Sequence, residues 1–193
     1  MAYPLKPTSA PTIRKGKELS NAAIIRYNDS LFINFRDFDF GEEGNPCRQW
    51  IDIKKFDILV PTAEDQEVLT ALIDNEYFRD DYIGGGVDPE GTRHGPFWTS
   101  HISPSSYEQR DQHSVADILN AWLARCGVLP PALVRAVDDR VIGPAIHASS
   151  VYVLRKLDAA AINDYGFIHT EFHEIVLIDR SSNSLLLVVA ADD

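Results

Sequence analysis

Three things are scarce in this chain, and each scarcity excludes a class of function. Only two cysteines, Cys47 and Cys126, occur in 193 residues. They lie too far apart for the paired Cys spacing of a structural zinc site. Cys126 falls on the apolar side of an expected helix, where a free thiol behaves as a small hydrophobe. Unpaired thiols place the protein most simply in a reducing cytoplasm. No run of ~18 apolar residues exists, so nothing is expected to span a membrane. Basic residues are also few, 18 Lys and Arg against 29 Asp and Glu for a net charge of −11. Neutralising nucleic-acid phosphates needs clustered Lys and Arg, so no nucleic-acid partner is expected. The same charge would steer a basic protein partner toward the surface.

Complete catalytic signatures are missing as well. Gly84, Gly85 and Gly86 lack phosphate-loop spacing, and no Lys-Ser or Lys-Thr follows. They read as a flexible hinge. The tripeptide Asp39-Phe40-Gly41 stands without the glycine-rich loop and catalytic loop that would give it meaning. Serines and histidines between residues 93 and 113 form no nucleophile elbow.

What is present describes an ordinary folded domain. Hydrophobic residues make up 45% and charged residues 24%, which together support a real core in a chain of this length. Charge is uneven. Lys6, Arg14, Lys15 and Lys17 against Glu18 give residues 1–20 a net +3, so the remaining residues carry −14 to make the total of −11. With Pro4, Pro7 and Pro11 and little apolar content, residues 1–20 read as a flexible basic arm before one domain over 21–193.

The domain begins in β. Apolar runs flank Asn28 and Asp29, residues that tolerate a tight turn, and predict a hairpin of strands 22–27 and 31–38. Another β-branched and aromatic run includes Trp50, Ile51, Ile53, Phe56, Ile58 and Val60. Helical spacing of Val68, Leu69, Leu72, Ile73 and Tyr77 predicts a helix over 63–78 capped at Thr62. A second helix is expected to open at Ser114 and end at Gly127, and a third to run from Pro131 until Gly143 and Pro144 close it. Residues 80–113 read as a long loop, and loops of that length usually bind something. Arg93, Phe97 and Trp98 are its candidate partner-binding residues. The last section returns to strands, with a hairpin turning on Ser181 to Asn183. Strands at both ends around a helical middle give an α+β domain with a mainly antiparallel sheet.

One stretch carries candidate chemistry. In His169-Thr170-Glu171-Phe172-His173 the alternating residues share a face of an extended strand, with neighbours ~6.6 Å apart and the two histidines about 13 Å apart. Glu171 with one histidine can therefore share a divalent transition metal, whereas both histidines on one ion cannot. A further ligand is required, and His147 is the candidate. Without metal, His169, Glu171 and His173 form a candidate acid/base set, since histidine titrates near pH ~6.5. Asp37 and Asp39 could share Mg²⁺ but read better as a solvated turn. Two functions follow. One is an acidic cytoplasmic binding or accessory protein, of the inhibitor or immunity type, engaging a protein partner through its surface and the 80–113 loop. The other is a small, metal-dependent enzyme with its site at the end of strand 168–179.

Overall fold

The computed structural model describes residues 23–41 and 47–192; the expected basic arm lies outside them. Six strands form one antiparallel sheet: β1 (Ile25–Asn34), β2 (Gln49–Ile58), β5 (Tyr107–Arg110), β6 (Ser150–Leu154), β7 (Phe172–Asp179) and β8 (Ser184–Asp192). Their spatial order is β1-β2-β8-β7-β6-β5, so the N-terminal pair adjoins the C-terminal strands in one sheet, as expected for α+β. A separate two-stranded ribbon, β3 (Arg93–His94) and β4 (Phe97–Trp98), lies within the segment expected to be loop.

The central strands are apolar on both sides, and two-residue alternation divides them between two cores. Ile51, Ile53, Ile175, Leu177, Val188 and Ala190 face one way, against Val115, Leu119 and Trp122 of α2 (Gln112–Leu123) and Leu133 and Val137 of α3 (Pro131–Val137). Phe56, Ile58, Val176, Ile178, Leu185 and Leu187 face the other way, against Val68, Leu69 and Leu72 of α1 (Asp65–Asp74) and Phe78. Each fully buried Leu, Ile or Phe contributes roughly 1.5–3 kcal/mol. The sheet is thus held from both faces.

Several local expectations are corrected. Residues 25–34 form one strand rather than a hairpin, because Asn28 is the extra residue of a bulge between Tyr27 and Asp29 and its side chain donates to Asp57 on β2 at 2.8 Å. Helix α1 is capped by Glu64 with a reciprocal Glu67 contact, not by Thr62. Helix α2 starts two residues before Ser114, since the Asp111 carboxylate accepts from the amides of His113 and Ser114. Gly143 and Pro144 do not close the third helix. A π-turn, Asp138–Ile142, shifts the amide pairing so that Gly143 N–H donates to Asp138 O, and α4 (Gly143–His147) continues from it. The expected turn at Ser181 to Asn183 is present, with Asn183 at φ +50°.

Cys126 is not a free thiol. A disulfide joins it to Cys47 across a Cα separation of 5.5 Å, tying the entry to β2 to the end of the 3₁₀ turn Ala124–Cys126 that follows α2. The expectation of a reducing compartment rested on unpaired cysteines and loses that support. Among the described residues, no helix is long and apolar enough to cross a membrane.

Candidate functional site

Cross-strand register builds a polar row on the α1 face of the sheet. Phe32 on β1 opposes Asp52 on β2, Asp52 opposes Val189 on β8, and Val189 opposes Glu174 on β7. Lys54 shares the face of Asp52 two residues along. Between the two carboxyls the sheet offers only small side chains, Val189 and Ala191, and the Tyr82 ring packs over them with Trp50 and Phe172. Tyr82 takes a left-handed backbone, φ +58°, uncommon for a bulky residue. Asp80 holds it there, accepting from Tyr82 N–H through Oδ1 at 2.9 Å.

Two connected clusters result. In the first, the Lys54 ammonium, 4% exposed, donates to Asp80 Oδ2 at 2.8 Å and to the Tyr82 hydroxyl at 3.0 Å, and lies 3.3 Å from Asp52 Oδ1. Asp52 Oδ1 is buried, and beyond this contact with Lys54 it has no hydrogen-bond partner among the described residues. Burial pushes the Asp52 carboxyl above its ordinary value, against the opposing pull of Lys54. Burial, aided by the Asp52 and Asp80 charges, likewise holds Tyr82 as a neutral phenol.

In the second cluster Glu174 accepts the Tyr107 hydroxyl through Oε1 and pairs through Oε2 with His94 Nε2 at 2.6 Å. His94 Nδ1 faces the Phe78 carbonyl, which can only accept, so that nitrogen carries a proton. Both side chains of the His94–Glu174 pair are wholly buried, and His94 stacks on Phe78. All three residues of this set are buried, at 5% exposure or less. It joins the β3–β4 ribbon to the sheet.

The first cluster does open. A cleft of about 540 Å³ lies over Asp52 and Asp80, walled by Phe32, Trp50, Tyr82, Ile83 and Ile168, with Asn34 and Arg36 at one side and Gly84 and Gly86 at the other. Residues 80–86 of the expected loop supply one wall. The glycine stretch read as a hinge is therefore its edge, with Gly84 and Gly86 at φ +101° and +71°.

The residues singled out in the sequence lie elsewhere. Strand β7 begins at Phe172, so His169 and Glu171 precede it and the expected common strand face is not formed there. His169 is buried, with Nδ1 3.2 Å from Asp192 O, and meets Trp50 edge-on. Glu171 forms an ion pair with Arg125 and lies 2.9 Å from His173 Nε2. Burial lowers the His173 value, with Arg125 adding to the effect and Asp192 opposing it. His169 and His173 both line a second cleft of about 460 Å³ with Phe97, Leu157, Ile162 and Phe172. His147 sits at the far end of the sheet. It precedes Ser150, which pairs with Ile178 rather than with the start of β7. Among the described residues, no three His, Cys, Asp or Glu side chains are grouped to hold an ion. Asp39 caps its own turn, accepting from Gly41 N–H at 2.8 Å.

Arg93, Phe97 and Trp98 form part of the small ribbon. Arg93 makes a paired contact to Asp164, 3.0 Å on each oxygen, and its guanidinium lies 4.5 Å from the Tyr165 ring centre and 5.5 Å from that of Trp98. Phe97 bridges to Ile162. The Arg93 side chain and the Phe97 backbone thus fasten the segment to the 158–168 connection.

No family model matches the chain, and no curated protein matches it. Among solved structures, it is similar to citrus MAF1, with a TM-score of 0.40 and 10% identity, over 81% of this chain and 95% of that one. A likeness that distant carries no argument about what the chain does.

Proposed function

We propose that this is an acidic binding or accessory protein, of the inhibitor or immunity type, that holds a basic protein partner through its acidic surface and the 80–113 segment. The observation that carries the reading is the Asp52–Asp80 cleft, where two carboxyl groups face aromatic walls and residues 80–86 form the rim. Such a surface attracts cationic groups by charge and by ring face together. The net charge of −11 supports the same polarity of partner over longer range. Capture from lysate of the native host, followed by salt titration of the complex, tests the reading. Affinity should fall steeply with salt; a partner held equally at low and high salt would contradict it.

The cytoplasm remains the proposed place of action only if the two cysteines are reduced there. A bridged pair is the state that oxidising compartments maintain.

A second reading, a small enzyme, draws on the cleft lined by His169 and His173. His173 with its lowered value is neutral near pH 7, and Glu171 beside it can orient the ring, which suits a general base. Its metal-dependent form has the weaker support, since among the described residues no third ligand accompanies Glu171 and a histidine. Metal content measured for the wild type, His169→Ala and His173→Ala tests that form; unchanged, substoichiometric metal in all three would end it.

A further inference from the structure

The walls of the Asp52 cleft narrow what it can receive, an inference that rests on the binding reading above. Phe32, Trp50 and Tyr82 follow one another along it, with ring centres 5.7 Å apart in each successive pair. Phe32 is 54% exposed although it stands directly opposite Asp52 in register. Aromatic rings attract organic cations through the negative potential of their faces. The chain already uses this attraction, with the Lys54 ammonium 4.2 Å from the centre of the Tyr82 ring.

At the floor the two carboxyls differ in how they are held. Asp80 is satisfied on both oxygens, by Lys54 and by the Tyr82 amide. Asp52 shares that one ammonium at 3.3 Å through Oδ1, which is buried and has no further partner among the described residues. Its side chain stays 16% exposed in the cleft lining. The Lys54 ammonium is therefore shared between both carboxyls, and Asp80 takes the closer contact, 2.8 Å against 3.3 Å. Ile83 and Ile168 provide apolar wall for a methylene stem. A space of about 540 Å³ suits a side chain or small molecule rather than an element of secondary structure.

We propose that this cleft seats a single organic cation, an alkylammonium or guanidinium head, with Asp52 as its counter-charge and Phe32 and Trp50 as its aromatic wall. A lysine or arginine side chain of a protein partner and a free amine share that chemistry. Arg36, which also lines the cleft, defines the opposite case, an anion.

Calorimetric titration of the full chain with n-butylammonium chloride, and with a capped Gly-Lys-Gly peptide, tests the seat. Both should bind saturably, and Asp52→Asn and Phe32→Ala should each weaken binding by about tenfold, whereas Arg36→Gln should not weaken it. Phe32→Ala alters an exposed ring, so the test stands if Asp52→Asn folds poorly. Tighter binding of the peptide assigns the seat to a protein side chain, and tighter binding of the free amine assigns it to a small molecule. No saturable heat from either probe overturns the proposal. So does binding of inorganic phosphate that Arg36→Gln abolishes and Asp52→Asn spares. A host partner whose affinity ignores both Asp52→Asn and Phe32→Ala overturns the seat and leaves the binding reading standing. Cations seated in the cleft with no basic partner captured leave the seat and overturn that reading.

Discussion

Individual residues carry the clearest energetic consequences. Glu174 is the only acceptor for the His94 Nε2 contact and for the Tyr107 hydroxyl among the described contacts, and all three groups are buried. Glu174→Ala strands two polar groups without water and should cost roughly 3–5 kcal/mol in urea unfolding. Asp52 behaves in the opposite sense. Its folded value lies above 3.8, so its contribution to stability is complete below that pH and is lost as pH rises through the folded value. Asp52→Asn should therefore melt at or above the wild-type temperature at pH 7, with the difference shrinking toward pH 3. His173 has a folded value below 6.5, so its contribution is present above 6.5 and lost as pH falls through the folded value. His173→Gln should flatten that acid-side decline, and an NMR titration of the His173 ring should find a midpoint below 6.5. A midpoint above 6.5 would contradict the role given to burial.

At the scale of elements, legibility in the sequence followed burial. The strand runs around Ile51, Val176 and Val188, and the helical spacing of Val68, Leu69 and Leu72, expressed a core that was there to be filled. The hairpin expected at Asn28 failed because a turn-tolerant residue also suits a bulge, and pairing with β2 rewarded the continuous strand. Residues 80–113 looked structureless because their order comes from distant contacts: His94 to Glu174, Arg93 to Asp164, Tyr107 to β6. For the same reason the Asp52 cleft was hidden, since register alone brings Phe32, Asp52 and Glu174 into one row. One signal was available. Glu174 interrupts an apolar strand on the face of Val176 and Ile178, and a buried acid demands partners. The ribbon also has a sensitive point at Gly95, φ +49°, where an added Cβ would meet the Phe172 ring at 2.3 Å. Gly95→Ala should destabilise by about 2–4 kcal/mol in urea unfolding through clash and backbone strain together. A loss under half a kcal/mol would mean the turn is not built this way.

For the whole molecule, the disulfide and the charge distribution matter most. Cys47 and Cys126 close a loop with a sequence separation of 79, for which chain entropy gives about 4.5 kcal/mol of stabilisation. Alkylation followed by mass measurement should find no reactive thiol until the protein is reduced, and reduction should lower the unfolding midpoint. Two alkylated cysteines in the untreated protein would restore the reducing-compartment reading. In the binding role proposed above, the acidic surface would steer a basic partner and the cleft between β1, β2 and residues 80–86 would receive it. Amide NMR mapping of the full chain with the captured partner tests this central claim most directly. Shifts should concentrate at Phe32, Asn34, Trp50, Asp52 and residues 80–86, and should fade as salt is raised. Shifts confined to the α2–α4 face, or to the His169–His173 end of the sheet, would contradict it.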